Sequence, residues 1–569
     1  MIQYTFRCKN PQQQYIDIEV RFKAVSEHHE IQLPAWRPGR YELGNFAKNV
    51  RCFKVFSEGK TVGTSKITKD RWQITTEKGK EYVVNYQYYA VDLNAGSTYF
   101  TIDQLYVNPV NCCIYVEGMT ELPCSVKLDV PENYQIASGL KQTERHTLYA
   151  KNFEELADSP WIASAALKHD FYEVSDVRFN LWFQGECQPD FELLKSDFSK
   201  FTQKQLEKFG EFPFEEYHFF FQIVPFRAYH GVEHLNSTVI LLGPGYDLFR
   251  SFYSELLGVS SHELYHAWNV KSIRPVEMFP YDYTKENYSE LGYLCEGVTT
   301  YMGDLMLYRS GVFSLGDYLK EFDNQLQKHF DNFARFTMSI AEASFDTWLD
   351  GYVPGAPNRK VSIYTEGCLL AFVVDVLMLK HTNGKHRLDD VMKRLYYDFY
   401  LQGKGVREED FWSLIRNFAG NHLDFLYTDF YHGTKNFESI IVDALEEIGL
   451  ELEHVPLANY SASKLGFKST AGQTGMVVKS IYPGSPADLG QLMPEDEIIG
   501  VNGIFSQQQL DEWLQYFDND SKRLTVIRRK ELIELTLPEV NRFFYLNYRV
   551  KELSDKNHQQ QKLFKSWSM

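Results

Sequence analysis

The run His262-Glu263-Leu264-Tyr265-His266 strongly limits how this chain of 569 residues can fold. Residues four apart lie on the same face of an α-helix, so the two histidines can reach one metal ion if this segment is helical. The stretch 247–270 has apolar residues at helical spacing and no proline, and Pro275 ends the pattern. The glutamate is offset by one position, which suits a general base acting on metal-bound water and not a ligand.

A carboxylate further along the chain completes the set of ligands that zinc prefers. A catalytic zinc ion takes three protein ligands and keeps a fourth position open for water. Glu296 lies 30 residues after His266 at the start of another predicted helix, and this gap lets the chain cross a loop and return. We therefore expect His262, His266 and Glu296 to bind one zinc ion per chain, with Glu263 as the general base. An amphipathic helix with two surface histidines is the alternative that the spacing alone leaves open.

The hydrophobic pattern changes along the chain and predicts a multidomain α+β protein. Residues 1–165 contain alternating runs such as Tyr15–Lys23 between turn-forming residues, which predict an N-terminal β-sandwich-like domain. Residues 166–455 combine apolar strands with many helices, which predicts a mixed α/β and helical catalytic domain. Residues 456–540 form a compact β-rich unit, and 541–569 form a polar C-terminal tail whose aromatic residues can pack against a neighbour.

Composition and charge narrow the classes of partner. The formal net charge is −17 and the pI about 5.5, so the surface repels nucleic acids and anionic membranes. The most apolar stretch, Cys368–Leu379, is short and contains Asp375, which predicts a buried helix and no integral membrane association. The first residues lack the apolar core of a signal peptide, and the eight cysteines form no C-x-x-C pair. We therefore expect a cytoplasmic protein with free thiols.

Several segments together resemble one family of peptidases. His262–Pro275 (HELYHAWNVKSIRP), Tyr281–Tyr288 (YDYTKENY) and the pair Glu296-Gly297 resemble the M61 glycyl aminopeptidases, and Leu33–Val50 and Leu156–Pro160 extend the resemblance over most of the chain. It implies a thermolysin-like catalytic domain of the gluzincin type and a zinc cofactor. It also implies peptide substrates that are cleaved at the N-terminal peptide bond, with glycine or alanine favoured as the first residue.

The resemblance also implies roles in catalysis and substrate binding. Tyr364 precedes Glu366-Gly367 at the start of an apolar helix, and a tyrosine at a similar place in gluzincin aminopeptidases donates a hydrogen bond to the oxyanion. Gly231 and Glu233 resemble the Gly-x-x-Glu edge strand of these enzymes, with spacing one residue shorter. Glu233 would bind the substrate amine, and Gly231 would let the substrate backbone approach. The alternatives are a core or rim tyrosine and a turn that carries a solvated acid.

Four further residues near these motifs are candidates for supporting roles. His230 and His234 flank the amine-binding candidate, and we expect them to be structural because the zinc ligands are already assigned. Asn269 and Asp304 are candidates by position for orienting the zinc-binding imidazoles.

The unit 456–540 resembles a PDZ domain. Leu465-Gly466-Phe467 matches the loop whose backbone N–H groups bind a terminal carboxylate in such domains, and Asp496–Gly503 (DEIIGVNG) continues the resemblance. A bound peptide would add as a strand beside this loop. The ligand is unknown, because a PDZ unit within a peptidase can bind substrate ends or brace the catalytic domain.

Three functions are compatible with these observations. The leading one is a zinc-dependent aminopeptidase. The second is a zinc endopeptidase whose PDZ-like unit recruits polypeptide C-termini, in which Glu233 would not matter for cleavage. The third is a non-catalytic peptide-binding protein, which predicts that a ligand or the base is lost, whereas all of them are present. No Walker-type glycine loop supports phosphate chemistry, and no motif supports a serine or cysteine nucleophile.

Overall fold

The computed structural model describes residues 1–353 and 355–569. Its first 165 residues form a β-rich domain, as the alternating patterns predict. The strands of this domain are β1 (Ile2–Arg7), β2 (Tyr15–Lys23), β3 (His28–Gln32), β4 (Val50–Ser57), β5 (Lys60–Val62), β6 (Thr64–Thr68), β7 (Arg71–Thr75), β8 (Glu81–Tyr89), β9 (Tyr99–Phe100), β10 (Gln104–Val107), β11 (Tyr115–Val116), β12 (Cys124–Asp129), β13 (Gln135–Ser138), β14 (Lys141–Glu144), β15 (Thr147–Ala150) and β16 (Trp161–Ser164). Its short helices are α1 (Pro109–Cys112) and α2 (Phe153–Ala157).

The N-terminal domain consists of three sheets around one core. The largest has the strand order β14-β15-β12-β1-β2-β8-β4-β5, and only the pair β1–β12 is parallel. Two four-stranded sheets have the orders β13-β16-β10-β9 and β11-β3-β7-β6. The loop between β3 and β4 reaches the next domain, where Nε1 of Trp36 donates to O of Asp282 at 2.6 Å and N of Ala35 donates to O of Tyr283 at 2.8 Å. This loop is therefore fixed against the catalytic domain.

The catalytic domain joins a five-stranded sheet to a helical half. Its strands are β17 (Lys168–Val174), β18 (Val177–Gln184), β19 (Glu216–Ile223), β20 (Ala228–His234) and β21 (Ser237–Gly243). Its helices are α3 (Phe191–Phe209), α4 (Tyr253–Tyr265), α5 (Thr299–Arg309), α6 (Leu315–Asp331), α7 (Ile340–Phe345), α8 (Thr347–Asp350), α9 (Ile363–His381), α10 (Leu388–Asp398), α11 (Glu408–Ala419), α12 (Asp424–Leu426) and α13 (Glu438–Glu447). The sheet order β17-β18-β19-β21-β20 leaves β20 at one edge.

Helix α9 is the centre of the helical half. Most of its residues are buried, which agrees with the buried helix predicted for Cys368–Leu379. Asp375, in the middle of this helix, is fully buried, and the hydroxyl of Tyr301 donates to it at 2.7 Å while Arg309 lies 3.5 Å away. In the described part of the chain, no helix combines the length and apolar character needed to span a membrane.

The C-terminal region contains the PDZ domain and a segment that returns to the catalytic domain. Its strands are β22 (Leu450–Pro456), β23 (Phe467–Ala471), β24 (Met476–Ile481), β25 (Glu497–Val501), β26 (Ile504–Phe505), β27 (Lys522–Arg528), β28 (Glu531–Leu537) and β29 (Leu546–Glu552). Its helices are α14 (Tyr460–Ser463), α15 (Pro486–Leu489), α16 (Leu510–Tyr516) and α17 (His558–Ser568). The PDZ sheet has the order β23-β24-β25-β27-β28, and β26 pairs with β25.

The last residues of the chain pack on the catalytic core. β29 pairs with β22, and α17 buries Trp567 completely. Nε1 of Trp567 donates to the hydroxyl of Tyr301 at 3.0 Å, and Nε of Arg309 donates to O of Trp567 at 2.8 Å. The aromatic packing predicted for residues 541–569 thus brings the tail against α5.

Candidate active site

The candidate metal centre is built from three side chains on two neighbouring segments. His262 lies in the last turn of α4 and His266 directly follows its end, while Glu296 lies in a π-helical turn, Tyr293–Val298, that leads into α5. The Nε2 atoms of the histidines are 3.0 Å apart, and Oε2 of Glu296 is 3.7 Å from the first and 3.4 Å from the second. Tetrahedral zinc with bonds of about 2.0–2.1 Å needs donor atoms about 3.3 Å apart. The donor set therefore fits zinc in type and spacing.

The loop after α4 holds the imidazole of His266 in one tautomer. Nδ1 of His266 lies 2.7 Å from O of Asn269, and a carbonyl only accepts, so the proton is on Nδ1 and Nε2 is free for a metal. The buried side chain of Asn269 donates to O of Leu294 at 2.8 Å and to Oγ1 of Thr299 at 3.1 Å. It thus ties the two metal-binding segments together. Asp304 lines the cleft in which these candidate ligands lie, but no hydrogen bond among the described residues joins it to either histidine.

Glu263, the predicted base, is buried beside the metal ligands. Oγ1 of Thr238 donates to its Oε2 at 3.4 Å. Burial raises the pKa of Glu263 to about 8; a positive charge on His266 would oppose this shift, and the carboxylate of Glu233 adds to it. Gly231 provides the room for this carboxylate, because a Cβ there would overlap Oε1 of Glu263. The absence of a Cβ at Gly231 therefore leaves space for the carboxylate of Glu263, which the sequence did not suggest.

Glu233 lies on the edge strand β20 and is 4% exposed. One of its carboxylate oxygens is within 4.8 Å of ligand atoms of both Glu263 and His266. Its Oε1 has no hydrogen-bond partner among the described residues. A Cβ at Gly39 would lie 2.6 Å from both oxygens, so the backbone of the N-terminal domain closes over them. This burial excludes a solvated acid in a turn and leaves a carboxylate that a cation can neutralise.

The two histidines on either side of Glu233 differ in their surroundings. Nδ1 of His234 lies 3.0 Å from Oδ1 of Asp158 in the N-terminal domain, and the same carboxylate pairs with Lys271 at 2.8 Å. His234 therefore belongs to the contact between the two domains. His230 lines the cleft, and burial, together with two nearby arginines, lowers its pKa to about 4. It is therefore uncharged at neutral pH.

Tyr364 is the second residue of α9 and lines the same cleft. Its ring centroid is 6.4 Å from that of His262. Burial raises the pKa of Tyr364 well above its usual range, so the hydroxyl keeps its proton and can donate a hydrogen bond. Glu366, two residues further along, is bonded instead to Nδ1 of buried His329 at 2.7 Å.

The cleft that contains these residues has a volume of about 780 Å³ and extends from the N-terminal domain to α6. Arg37, Gly39 and Arg40 of the loop between β3 and β4 form one end, and Lys328 on α6 lies in another part. The sequence drew attention to this loop only within the similar segment Leu33–Val50. The paired arginines on either side of Pro38-Gly39 were the available signal, but nothing in the sequence showed that they reach the metal centre.

The predicted carboxylate-binding loop lies outside this cleft, at the start of β23. Gly466 has φ +73°, and a Cβ there would lie 3.2 Å from the ring of Phe544. N of Leu465 donates to O of Tyr460 at 3.4 Å, so one N–H of the loop is already used. Phe467 is fully buried in the PDZ core. The structure therefore places a segment of the same chain against this loop.

Three family models match successive parts of the chain. The model for the peptidase M61 N-terminal domain matches residues 3–165, and the model for M61 glycyl aminopeptidase matches residues 255–370. The model for the PDZ domain matches residues 455–515. The matches follow the order of domains predicted from the sequence.

A solved structure of an aminopeptidase N family protein from Idiomarina loihiensis is similar over 100% of both chains, with 26% identity and a TM-score of 0.90. An M1 zinc metallopeptidase from Deinococcus radiodurans has 12% identity, a TM-score of 0.47 and coverage of 76% of this chain and 94% of its own. None of the curated proteins compared with the chain matches it.

Proposed function

This chain is a metallopeptidase of the M61 family, and from that premise we propose that it is a zinc-dependent aminopeptidase, which hydrolyses the N-terminal peptide bond of peptides. The observation that carries the proposal is the buried carboxylate of Glu233 beside Glu263. A buried carboxylate is unfavourable unless a cation neutralises it, and the α-ammonium group of a peptide is such a cation. Because Glu233 is fixed next to the metal ligands, it would place one residue before the scissile bond.

Each group near the metal centre has a role in this reaction. Zinc held by His262, His266 and Glu296 would polarise the substrate carbonyl and lower the pKa of a water to about 7. The positive charge of a bound zinc ion would lower the raised pKa of Glu263 again, so that its carboxylate can accept the proton of the attacking water and pass it to the leaving amine. The hydroxyl of Tyr364 donates a hydrogen bond to the carbonyl oxygen as negative charge develops on it.

Strand β20 supports the same assignment, because it is the edge strand of its sheet. An edge strand offers unpaired N–H and C=O groups to an extended peptide, which can add beside it in the cleft. Gly231 and Glu233 lie two residues apart on this strand, so they face the same side of the sheet. The family resemblance adds a preference for glycine or alanine as the first residue, and we include this preference in the proposal.

Hydrolysis of glycyl- and alanyl-p-nitroanilide tests the proposal, with removal of metal by a chelator and restoration by zinc as controls. We expect cleavage that requires zinc and that is lost when the substrate amine is acetylated. Glu233→Gln should lower kcat/KM for free-amine substrates by about a hundredfold or more, because the ammonium group loses a charged partner. Glu321→Gln, at another part of the cleft, is the matched control. Equal cleavage of acetylated peptides would favour an endopeptidase, and inactivity of zinc-loaded protein would favour a non-catalytic peptide binder.

A further inference from the structure

Arg37 carries a buried guanidinium that has no carboxylate to pair with. The residue is 4% exposed, and its Nη1 has no hydrogen-bond partner among the described residues. No acidic oxygen of the described residues forms an ion pair with Arg37, whereas the neighbouring Arg40 is paired with Glu42. A buried charge without a partner is strongly unfavourable, so a site of this kind is suited to an anion that arrives from outside.

The surrounding residues fix the position of this guanidinium. Arg37 lines both the metal cleft and an adjoining cavity of about 190 Å³ in the N-terminal domain. Gly96 makes room for it, because a Cβ at that position would overlap the guanidinium. The backbone of Gly96 is held on both sides: its N donates to Oδ1 of Asn94 at 2.9 Å, and its O accepts from Nδ2 of buried Asn111 at 2.9 Å. The position of the charge is therefore fixed by several residues.

None of the acids that line the adjoining cavity forms an ion pair with Arg37 among the described residues: Glu42 is paired with Arg40, and no ion pair joins Asp92 to Arg37. Arg40 has the same sign, and His230 is uncharged at neutral pH because burial and the two arginines lower its pKa. The carboxylate of Glu233 acts on Arg37 from beyond ion-pair distance, and it is the group that the proposed function assigns to the substrate amine. Once an amine is bound there, the guanidinium is the remaining unpaired charge at this end of the cleft.

We propose that Arg37 binds the side-chain carboxylate of an aspartate or glutamate at the first position of the peptide. The inference rests on the proposed function: the carboxylate of Glu233 lies against Gly39, so an amine bound to it would bring the first residue of the peptide close to the loop that carries Arg37. A guanidinium offers forked N–H donors that match a carboxylate, whereas an amide of the same size leaves the buried charge unpaired. The inference compares charged and uncharged first residues of the same size, such as aspartate and asparagine. It is therefore compatible with cleavage of glycyl and alanyl peptides.

The test compares kcat/KM for aspartyl- and asparaginyl-p-nitroanilide near pH 7, with glycyl-p-nitroanilide as the reference. We expect the wild type to prefer the aspartyl substrate by about tenfold or more. Arg37→Met should bring the ratio close to one, and Arg37→Lys should retain part of it, because the charge stays while the fork is lost. Arg227→Met is the matched control, since Arg227 lines the same cleft, is largely exposed and pairs with Glu255; its ratio should stay that of the wild type.

Gly96→Ala supplies a second variant that keeps the charge and displaces it, and it should also lower the ratio. Equal rates for both substrates in the wild type would overturn the proposal, and hydrolysis of the glycyl substrate in the same assay would show that the aminopeptidase proposal still stands. An equal loss for both substrates in Arg37→Met would also overturn it, because Arg37 would then act by positioning Glu233.

Discussion

At the scale of single residues, Glu263 is the side chain on which both proton transfers of the proposed mechanism depend. Glu263→Gln keeps the shape of the side chain and removes its basicity, so we expect a loss of three or more orders of magnitude in kcat with zinc content unchanged. Glu255→Gln, in the first turn of the same helix, should behave like the wild type. Measurement of kcat, with metal analysis of the same samples, tests this prediction. Near-normal turnover of the zinc-loaded variant would show that Glu263 is not the general base.

Gly231 supports a second prediction at this scale. A Cβ at this position would lie 2.9 Å from Cγ2 of Val259 and would overlap the carboxylate of Glu263. Gly231→Ala should therefore displace the base and lower kcat by about a hundredfold, as expected for a misplacement of about 1 Å. Gly63→Ala has open space around it and is the control. If Gly231→Ala retains full kcat with zinc bound, the glycine is not needed to seat the base.

The same residues show what a sequence can and cannot reveal. Helical spacing was sufficient to predict that His262 and His266 share a face, because a helix repeats by fixed geometry. The prediction of Glu296 required only that the chain could return and bring a carboxylate near that face. Thr238 and Arg37 could not be predicted, because Thr238 contacts Glu263 from another strand and Arg37 reaches the cleft from another domain. Neither lies in a pattern tied to the metal centre.

At the scale of elements, two glycines set the distance between the π-helical turn that bears Glu296 and helix α9 that bears Tyr364. A Cβ at Gly367 would lie 2.7 Å from Cα of Gly297, and a Cβ at Gly297 would lie 2.8 Å from O of Ile363. The two backbones touch here, so Tyr364, the proposed oxyanion donor, is held close to Glu296, the candidate metal ligand. The sequence showed both glycines beside functional residues but not that they face each other.

Gly297→Ala should therefore push the two elements apart. We expect a loss of about 1–3 kcal/mol in the free energy of unfolding from overpacking, together with weaker zinc binding. Gly316→Ala is the control: it is also helical, its nearest neighbouring atom is 3.7 Å away, and alanine there should be neutral or slightly stabilising. Thermal unfolding and zinc competition with a chelator measure both effects. A Gly297→Ala protein as stable as the control would mean that the π-helical turn and α9 can move apart without loss of stability.

The sequence predicted a single helix that starts near Glu296, where the structure has a π-helical turn followed by α5. A π turn adds a residue to one turn, which changes the hydrophobic spacing too little to be seen over six residues. Such turns are frequent at functional sites, and this one aims Glu296 at the two histidines. The position of the ligand was therefore predictable, whereas the backbone that aims it was not.

At the scale of the whole molecule, a buried ion pair joins the N-terminal and catalytic domains. Asp158 contacts His234, 76 residues away, and pairs with Lys271 in the loop that follows the metal-binding helix. All three are at most 5% exposed. The sequence presented Asp158 only as part of a segment similar to a family, since the partners of a domain contact lie far apart along the chain.

The pH dependence of stability follows from this contact. Burial alone would raise the pKa of Asp158, but the charge of Lys271 and the hydrogen bond with His234 outweigh it and lower the pKa below its ordinary value. A lowered folded-state pKa stabilises the fold fully above about pH 4, and this stabilisation is lost as the pH falls through that folded-state pKa. Asp158→Asn should cost about 3–5 kcal/mol at neutral pH, because it leaves Lys271 buried and unpaired.

The difference in unfolding free energy between wild type and Asp158→Asn should shrink as the pH falls below about 4, because the carboxyl of the unfolded wild type then takes up a proton that the folded state binds only at lower pH. Urea unfolding from pH 7 to pH 3 measures it, and Asp398→Asn, which breaks an exposed pair with Arg394, should change little at any pH. A constant difference down to pH 3 would show that the charge of Asp158 does not stabilise the contact. Because this contact lies at the same domain boundary as Gly39 and Arg37, Asp158→Asn should also lower kcat/KM, which a purely local loss of stability would not do.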